Sequence, residues 1–600
     1  MTGTVEVALG DKLSFLEGTV NSVAIGSSAA AYALGPSCQG ATRLLVTDAS
    51  RNSYRPPPDD VLLVVPEAEQ HLFAEPEKFW MSAGAAQFHD YAQQSRKVPV
   101  TAHGRLLGVR EGDEIDSEAG TIRVIDTPGR SSGAVSYVLD SEGTRVVLVG
   151  DLLYGNGLLL DLYCLQDAVP EANARGYHGY AARAGQLITS LLKVSALEPD
   201  VLLPAHGPAI FQAKGAIAGL VGNLESFLEL HFETDALLWY WGAENHRVRS
   251  RAVRRPVQVM PLAELGERPP DISAFGTSRL IRSGTGGAFL VDAGDPVALP
   301  VLRSLRDHGA IDRLEGVWIT HYHDDHTDYV NDVVEEFGCT AYYIAPVSEV
   351  IENPGGFHLP CLPSRAVRGT ALQDGSTMSW HEWQFTFEYF PGQTLHHGGF
   401  LATRDDGSSY YFVGDSFTPT GIDDYCMQNR NLFGAGLGYG RCLNRLRNLP
   451  AGTWLLNQHV EPLFRFSNKQ IDLMLDSLTK RARLLEKMSP WPDVNYLVDE
   501  SWSTIYPYAS SLGVGDELIL QLRVCNFAPN PLEYTAAWHL PEELGLQADW
   551  QGNSVIPPGE TGEMRATLQA RRAGLHVATC EVSLAALRLS MSTEALVRVE

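Results

Sequence analysis

The eight cysteines include no C-x-x-C pair, which removes zinc-ribbon and thioredoxin-like readings and leaves them as small core residues. No apolar run approaches the roughly 18 residues that cross a bilayer, so no membrane span is expected. The opening stretch, MTGTVEVALGDKLSFLEG, lacks a basic segment followed by an apolar one. It does not read as an export signal, and the default expectation is a cytoplasmic chain, or an exported one whose signal has been trimmed. Positive charge is also scarce: 46 Lys and Arg stand against 72 Asp and Glu, a formal charge of -26. Such a field repels phosphate backbones and argues against nucleic acid as the main substrate. The clearest basic run, HRVRSRAVRRP at 246–256, reads as a solvated linker.

What is present is a folded chain of several domains. Its 600 residues exceed the roughly 250 to 300 at which single cores stop growing. At 44% hydrophobic and 20% charged it resembles an ordinary globular protein. Residues 123–151, RVIDTPGRSSGAVSYVLDSEGTRVVLVGD, are echoed by 385–415, FTFEYFPGQTLHHGGFLATRDDGSSYYFVGD, each reading as strand, Pro-Gly loop, strand, acidic turn, strand, Gly-Asp. DVLLPAHGP at 200–208 is matched by TWLLNQHVEP at 453–462, and each precedes an amphipathic helical stretch, at 209–231 and 467–488. GTVNSVAIGSSAAAYALG at 18–35 is echoed by GTSRLIRSGTGGAFLVDAG at 276–294. The chain thus reads as two copies of one fold, over 1–235 and 263–490, joined by a linker at 236–262. After Pro490 short alternating runs predict an all-β sandwich over 491–600. Cys525, Trp538 and Cys580 give it the Cys, Trp, Cys order of an immunoglobulin-like domain, with either a disulfide or two free thiols.

WITHYHDDHTDYV at 318–330 packs three histidines and three aspartates behind a strand-like run. A tight loop leaving Thr320 can aim His321 and His323 at one ion while Asp325 and His326 face a neighbouring one. Imidazole nitrogens with a carboxylate suit Zn²⁺, with Fe and Mn as relatives. Complementary ligands stand at later strand ends: His397 in PGQTLHHGG, Asp415 in FVGDS and His459 in LLNQHVE.

This ordered set, H-x-H-x-D-H, a Pro-Gly-loop histidine, Gly-Asp and a strand-end histidine, resembles the metallo-β-lactamase superfamily of hydrolases. The resemblance implies two αββα sandwiches, an α/β fold with a dinuclear site at the sheet edges. It implies that His321, His323 and His397 hold one ion, that Asp325, His326 and His459 hold the other, and that Asp415 bridges them. Two Zn ions are expected, with Fe or Mn as alternatives. Asp292 in FLVDAG matches an acid that orients an imidazole from beneath the ligand loop. His396, beside His397, is expected to support the ligands or face the substrate. Thr327 and Asp328 stand where the family usually has glycines.

A hydroxide bridging two ions is a strong nucleophile near neutral pH, because coordination lowers the pKa of water to about 7. Asp325 can accept a hydrogen bond from it and pass a proton to the leaving group. The expected function is hydrolysis of an ester, thioester, lactone or related acyl bond in a small molecule. The alternatives are phosphodiester hydrolysis, as in the superfamily's nuclease branch, and a binding or scaffold role. A flavo-diiron reading is weaker, since His323 stands where that branch has a glutamate. Selectivity is expected from 351–380 and 417–445, including GAGLGYG at 434–440 as a flexible loop near the pocket. In the first copy RLLVTDASRNSY replaces the ligand positions by Asp48, Ser50, Asn52 and Ser53, and the His397 position by Ala134. Only Asp151 and His206 remain, which predicts a copy without metal that supports the active one. GRSSG at 129–133 matches the nucleophile elbow around Ser131, but that motif requires a helix where AVSYVLD continues as a strand.

Overall fold

The computed structural model describes residues 6–85, 97–548, 552–584 and 587–600. In the first repeat, residues 6–109 form a seven-stranded sheet whose strands follow chain order, and 114–204 form a five-stranded sheet. The second repeat reproduces this pair with a six-stranded sheet over 272–372 and a seven-stranded sheet that gathers Glu264–Gly266 and strands from Ser376–Trp380 to Leu463–Arg465. Helices cover the outer faces, so each repeat is an αββα sandwich. Strands such as Gly287–Val291 are buried throughout, as expected where both sheet faces are covered.

The repeats differ where the sequence comparison expects it. Helix Ala298–Asp307 separates strands Gly287–Val291 and Arg313–Ile319 in the second. The corresponding connection in the first holds only the short turn Pro36–Cys38.

After Ser503 the described chain is all β: a four-stranded sheet packed on a five-stranded one. Strand Glu517–Cys525 alternates between more and less exposed positions along its length, the pattern of a sheet with one wet face. Cys525 and Cys580 lie on different sheets and are both free thiols. Cys580 pairs directly across from Trp538, while Cys525 contacts the Thr561 hydroxyl at 3.3 Å.

Residues 236–262 are not an open linker. Leu237–Arg249 is helical, broken at Gly242, and Arg249 is buried in an ion pair with Asp235. Arg247 pairs with Glu244 on its own helix, and three more arginines of the basic run pair with acids on neighbouring segments: Arg251 with Glu171, Arg254 with Glu225 and Arg255 with Glu229.

The two repeats share a core. Helix Ala213–Glu233 of the first packs on Asn468–Met488 of the second, which starts at a capping box made by Ser467 and Gln470. Leu224, Leu228, Leu485, Met488 and Trp491 belong to one apolar cluster that continues into the C-terminal sheets. Within this seam Arg481, 1% exposed, donates to Asp424 at 2.7 Å, and His231 lies 3.3 Å from the other oxygen of the same carboxylate. Burial would raise the Asp424 carboxyl, but Arg481 and His231 hold it below the usual carboxylate range.

Candidate metal centre

The ligand loop begins where strand Arg313–Ile319 ends, and its first turn is the short helix Asp324–Thr327 capped by His323. The Thr320 carbonyl accepts from Gly398 N at 2.7 Å, and His321 and His397 form an isolated bridge, so the Pro-Gly loop is stitched to the first motif. Strand Ser409–Gly414 delivers Asp415 through a left-handed Gly414, at φ 63°. A side chain there is excluded, because a Cβ would lie 2.2 Å from His397 Nε2. His459 follows strand Trp454–Asn457, and its amide donates to Asn457 Oδ1 at 2.6 Å.

Four of the five predicted ligand rings are held through one nitrogen. His326 Nδ1 lies 2.9 Å from Asp292, whose carboxylate also accepts from the Thr320 amide and hydroxyl at 2.8 Å. His321 Nδ1 is 3.0 Å from Thr320 Oγ1, and His397 Nδ1 is 3.4 Å from Ser416 Oγ. His323 is held instead through Nε2, 3.3 Å from Asn429 Oδ1. These contacts orient the opposite ring nitrogens as ligand atoms. Asp292 thus stands beneath the loop in the place expected of it. Burial raises its carboxyl, and His326 and Thr320 oppose the shift.

The structure brings all seven predicted ligands together. The ring centres of His323, His326 and His397 lie 4.5, 4.1 and 4.7 Å from that of His321. Asp415 Oδ2 is 3.1 Å from both His326 Nε2 and His459 Nε2, and Asp325 is 3.2 Å from His459. His321, His326 and Asp415 form one group able to hold an ion, and Asp325, His326 and His459 a second. His321, His326 and His397 are fully buried, whereas the side chains of Asp325 and His459 are 46% and 35% exposed, so the second group faces the opening.

The electrostatics divide the imidazoles by the carboxylates that face them: His326 is raised, against its burial, by Asp415, Asp325 and Asp292. Burial, with the neighbouring imidazoles, pushes His321 well below the ordinary histidine value, and burial pushes His397 down to about 3. At His459 too burial is outweighed by Asp415 and Asp325, which raise it to about 10.

The residues fit metal ions. His321 Nε2, His397 Nε2 and Asp415 Oδ1 are buried polar atoms without a hydrogen-bond partner, which is costly unless a cation takes their lone pairs. The donors are imidazoles and carboxylates.

A family model described as "Metallo-beta-lactamase superfamily" matches residues 57–206 and 274–425, together half of the chain. The chain belongs to this superfamily. It is similar to hydroxyacylglutathione hydrolases of Hahella chejuensis, at 28% identity over 179 residues, 30% of this chain and 59% of that protein. The corresponding protein of Cupriavidus taiwanensis is 30% identical over 127 residues, 20% of this chain and 41% of that protein. The chain therefore spans less than two thirds of the length of these relatives. Among solved structures, a Cronobacter sakazakii metallo-beta-lactamase aligns at 18% identity over 35% of this chain and 86% of its own, with a TM-score of 0.27. Membership in the superfamily implies divalent metal ions.

Other expectations need correction. His396 turns away from the ligands: its Nδ1 bonds the Pro346 carbonyl at 2.8 Å, and it lines a separate cavity against the C-terminal sheets. The antiparallel bridge at His397 puts successive side chains on opposite faces, which sends His396 to the other side. GAGLGYG is not at the pocket either; it leads into helix Gly438–Arg447 and lines a groove against Leu475 and Leu478. Thr327 and Asp328, in place of glycines, brace the turn: Thr327 Oγ1 donates to the His323 carbonyl at 2.8 Å, and Asp328 accepts from Ser364 N at 2.9 Å.

In the first repeat Ser53 donates to Asp151 at 2.7 Å, and Asp151 lies 2.7 Å from His206 Nδ1, which leaves His206 Nε2 as the buried atom of this pair without a partner. Asp48 accepts from the Ser50 amide at 2.9 Å, and Ala134 is buried. The C-terminal strand Leu589–Val599 covers this surface, with Ser592 N donating to Asn52 at 2.9 Å and Glu594 paired to Arg51. Among the described residues no metal-capable group forms here. Ser131 precedes strand Val135–Ser141, not a helix.

Sequence reasoning missed Asn429 and the pocket residues that come from outside the second repeat: Arg175, Tyr177, His178, Tyr240 and Trp241. The aromatic run LLWYWG at 237–242 is the one signal that could have found the last two. Of the segments expected to set selectivity, Cys361, Asp423 and Tyr425 do line the pocket. Among the described residues no helix is long and apolar enough to cross a membrane.

Proposed function

We propose that the chain is a dinuclear metal-dependent hydrolase that cleaves an ester, thioester, lactone or related acyl bond of a small molecule. The observation that carries this reading is the gathering of His321, His326 and Asp415, and of Asp325, His326 and His459, into two groups able to hold an ion, with His323 and His397 packed beside His321 and with lone pairs on His321, His397 and Asp415 that no described residue satisfies. His321, His323 and His397 would hold one ion, Asp325, His326 and His459 the other, and Asp415 would lie between them. The donor set suits zinc first and iron or manganese next. Bound there, the ions would supply activated water and polarise the acyl oxygen.

The chain's own groups do the rest. Asp292 and Thr320 fix the rings of His326 and His321, so the ligand atoms need no reorganisation. Desolvation would raise the Asp325 carboxyl, but His326 and His459 hold it below the usual carboxylate range. Asp325 is thus an ionised acceptor at the open side of the site, placed to take a proton and return it to the leaving group. Relatives whose name describes hydrolysis of an acyl group from glutathione support an acyl-bond substrate. The formal charge of -26 disfavours a phosphodiester polymer.

A hydrolysis screen of the metal-loaded full chain against thioesters, lactones, β-lactams, aryl esters and phosphodiesters tests this. Acyl substrates are expected to turn over and phosphodiesters are not. Exclusive turnover of phosphodiesters would reverse the assignment, and turnover of nothing would favour a binding role.

A further inference from the structure

The pocket above the ligands has a volume of about 450 Å³ and is built from both repeats. One side carries the ligand groups His323, Asp325, Asp415 and His459. The other side is aromatic, and most of it comes from outside the second repeat. Tyr177 and His178 sit in the turn Gly176–His178, and Tyr240 and Trp241 on helix Leu237–Arg249; Tyr425 completes the wall from the second repeat. The rings interlock: His178 meets Trp241 edge-on at 5.0 Å and Tyr425 at 4.7 Å, and Tyr177 meets Tyr425 at 5.6 Å. Tyr240 reaches the ligand His459, with ring centres 6.4 Å apart.

The wall is held by groups that have no contact with the ligands. Gln166, 1% exposed, donates through one amide nitrogen to the carbonyls of Gly176, Tyr177 and Tyr425 at 3.2, 2.9 and 3.1 Å. A single side chain of the first repeat therefore fixes the turn carrying Tyr177 and the loop carrying Tyr425. The Ile422 strand of that loop is also bonded to the first repeat, donating to Thr234 O at 2.7 Å and accepting from Ala236 N at 3.1 Å. Gly421, at φ 145°, allows the approach, since a Cβ there would lie 2.1 Å from Thr234 O.

We propose that the first repeat and the helix that follows it, having no ligand set of their own, serve as the specificity element of the second repeat's centre, and that their wall selects a flat aromatic acyl group. This rests on the hydrolase reading and adds the substrate class. Ring edges and faces pack a planar group better than a flexible chain of equal area. Asp325 and Asp415 opposite the wall would be taken up by the ions, and Arg175 lies at the same pocket, so the selection rests on the shape of the aromatic wall. His178 Nδ1, buried without a hydrogen-bond partner, offers one polar contact to a heteroatom of the bound group.

The test uses the metal-loaded full chain and three thioesters that share one thiol: phenylacetyl, acetyl and succinyl. Wild type is expected to favour phenylacetyl over both acetyl and succinyl by at least about tenfold in kcat/KM. Trp241→Leu and Tyr177→Leu keep apolar bulk but remove the rings, and each is expected to reduce the phenylacetyl-to-acetyl ratio about tenfold with metal content unchanged. Calorimetric titration with phenylacetamide, an uncharged analogue, gives a readout independent of turnover: binding to wild type, and weakening in both variants. A wild type that prefers acetyl or succinyl, an equal loss on all thioesters in the variants, or no phenylacetamide binding would each overturn the proposal. Phenylacetamide binding without turnover of any thioester would leave the wall standing and count against the hydrolase reading instead.

Discussion

Asp415→Ala is expected to lower hydrolysis by more than about 100-fold, the upper end of what removing a mere supporting partner of a metal ligand costs. Its carboxylate is 3.1 Å from both His326 and His459, and its second oxygen is buried without a partner. Among the described residues no other carboxylate touches both histidines from within the buried side: Asp325 approaches the same pair from the opening, at 3.5 and 3.2 Å. Removing Asp415 therefore takes away the buried acid of the His321–His326 group, which also reaches His459 of the second. The fold should survive, because the backbone at this point is fixed by Gly414 and by Asp423 N donating to Ser416 O at 3.1 Å, not by the carboxylate. The measurement is turnover together with metal content and far-ultraviolet circular dichroism. Asp151→Ala, at the corresponding place in the first repeat, is expected to leave turnover within a few fold. Equal losses from the two substitutions would mean that the repeats do not divide as described.

The second large effect is expected on stability. Arg481→Ala should destabilise the chain by about 3 to 5 kcal/mol, because it leaves the buried Asp424 carboxylate with only His231 beside it. The guanidinium also packs 5.4 Å from the Phe227 ring of the first repeat and 5.3 Å from Phe433 of the second. Its loss strikes the seam between the repeats. The double substitution Arg481→Met with Asp424→Leu removes both charges and should recover most of the stability, since a buried ion pair replaced by apolar groups is often neutral. Denaturant unfolding of the single and double variants checks this. A single substitution costing less than about 1 kcal/mol would show that the seam does not depend on the ion pair.

The residues that gather at the candidate centre were legible in the sequence because each is set by a short local pattern. His321, His323, Asp325 and His326 share one turn, and His397, Asp415 and His459 each stand directly after a recognisable strand or Pro-Gly phrase. The tandem architecture was legible for the same reason, as repeated strand and turn phrases. The aromatic wall was not. Tyr177 and Tyr425 meet across 248 positions of chain, and a contact between repeats leaves no periodic trace in either. The segment 236–262 misled because a helix interrupted at Gly242 and ending in arginines has the texture of a linker. Its buried Asp235–Arg249 pair and its surface pairs to Glu225 and Glu229 depend on residues outside the run. His396 and His397 could not be separated by composition; strand alternation, which turns one inward and the next outward, separates them.

The central claim is that one metal centre, housed wholly in the second repeat, serves a chain whose first repeat has lost its own. Elemental analysis of the purified full chain addresses it most directly, comparing wild type, an Asp151→Ala/His206→Ala double variant and a His321→Ala/His397→Ala double variant. Close to two transition-metal ions per chain are expected in the wild type and in the first variant, with a loss of at least one in the second. Metal that disappears with Asp151 and His206, or stays at two without His321 and His397, would contradict it.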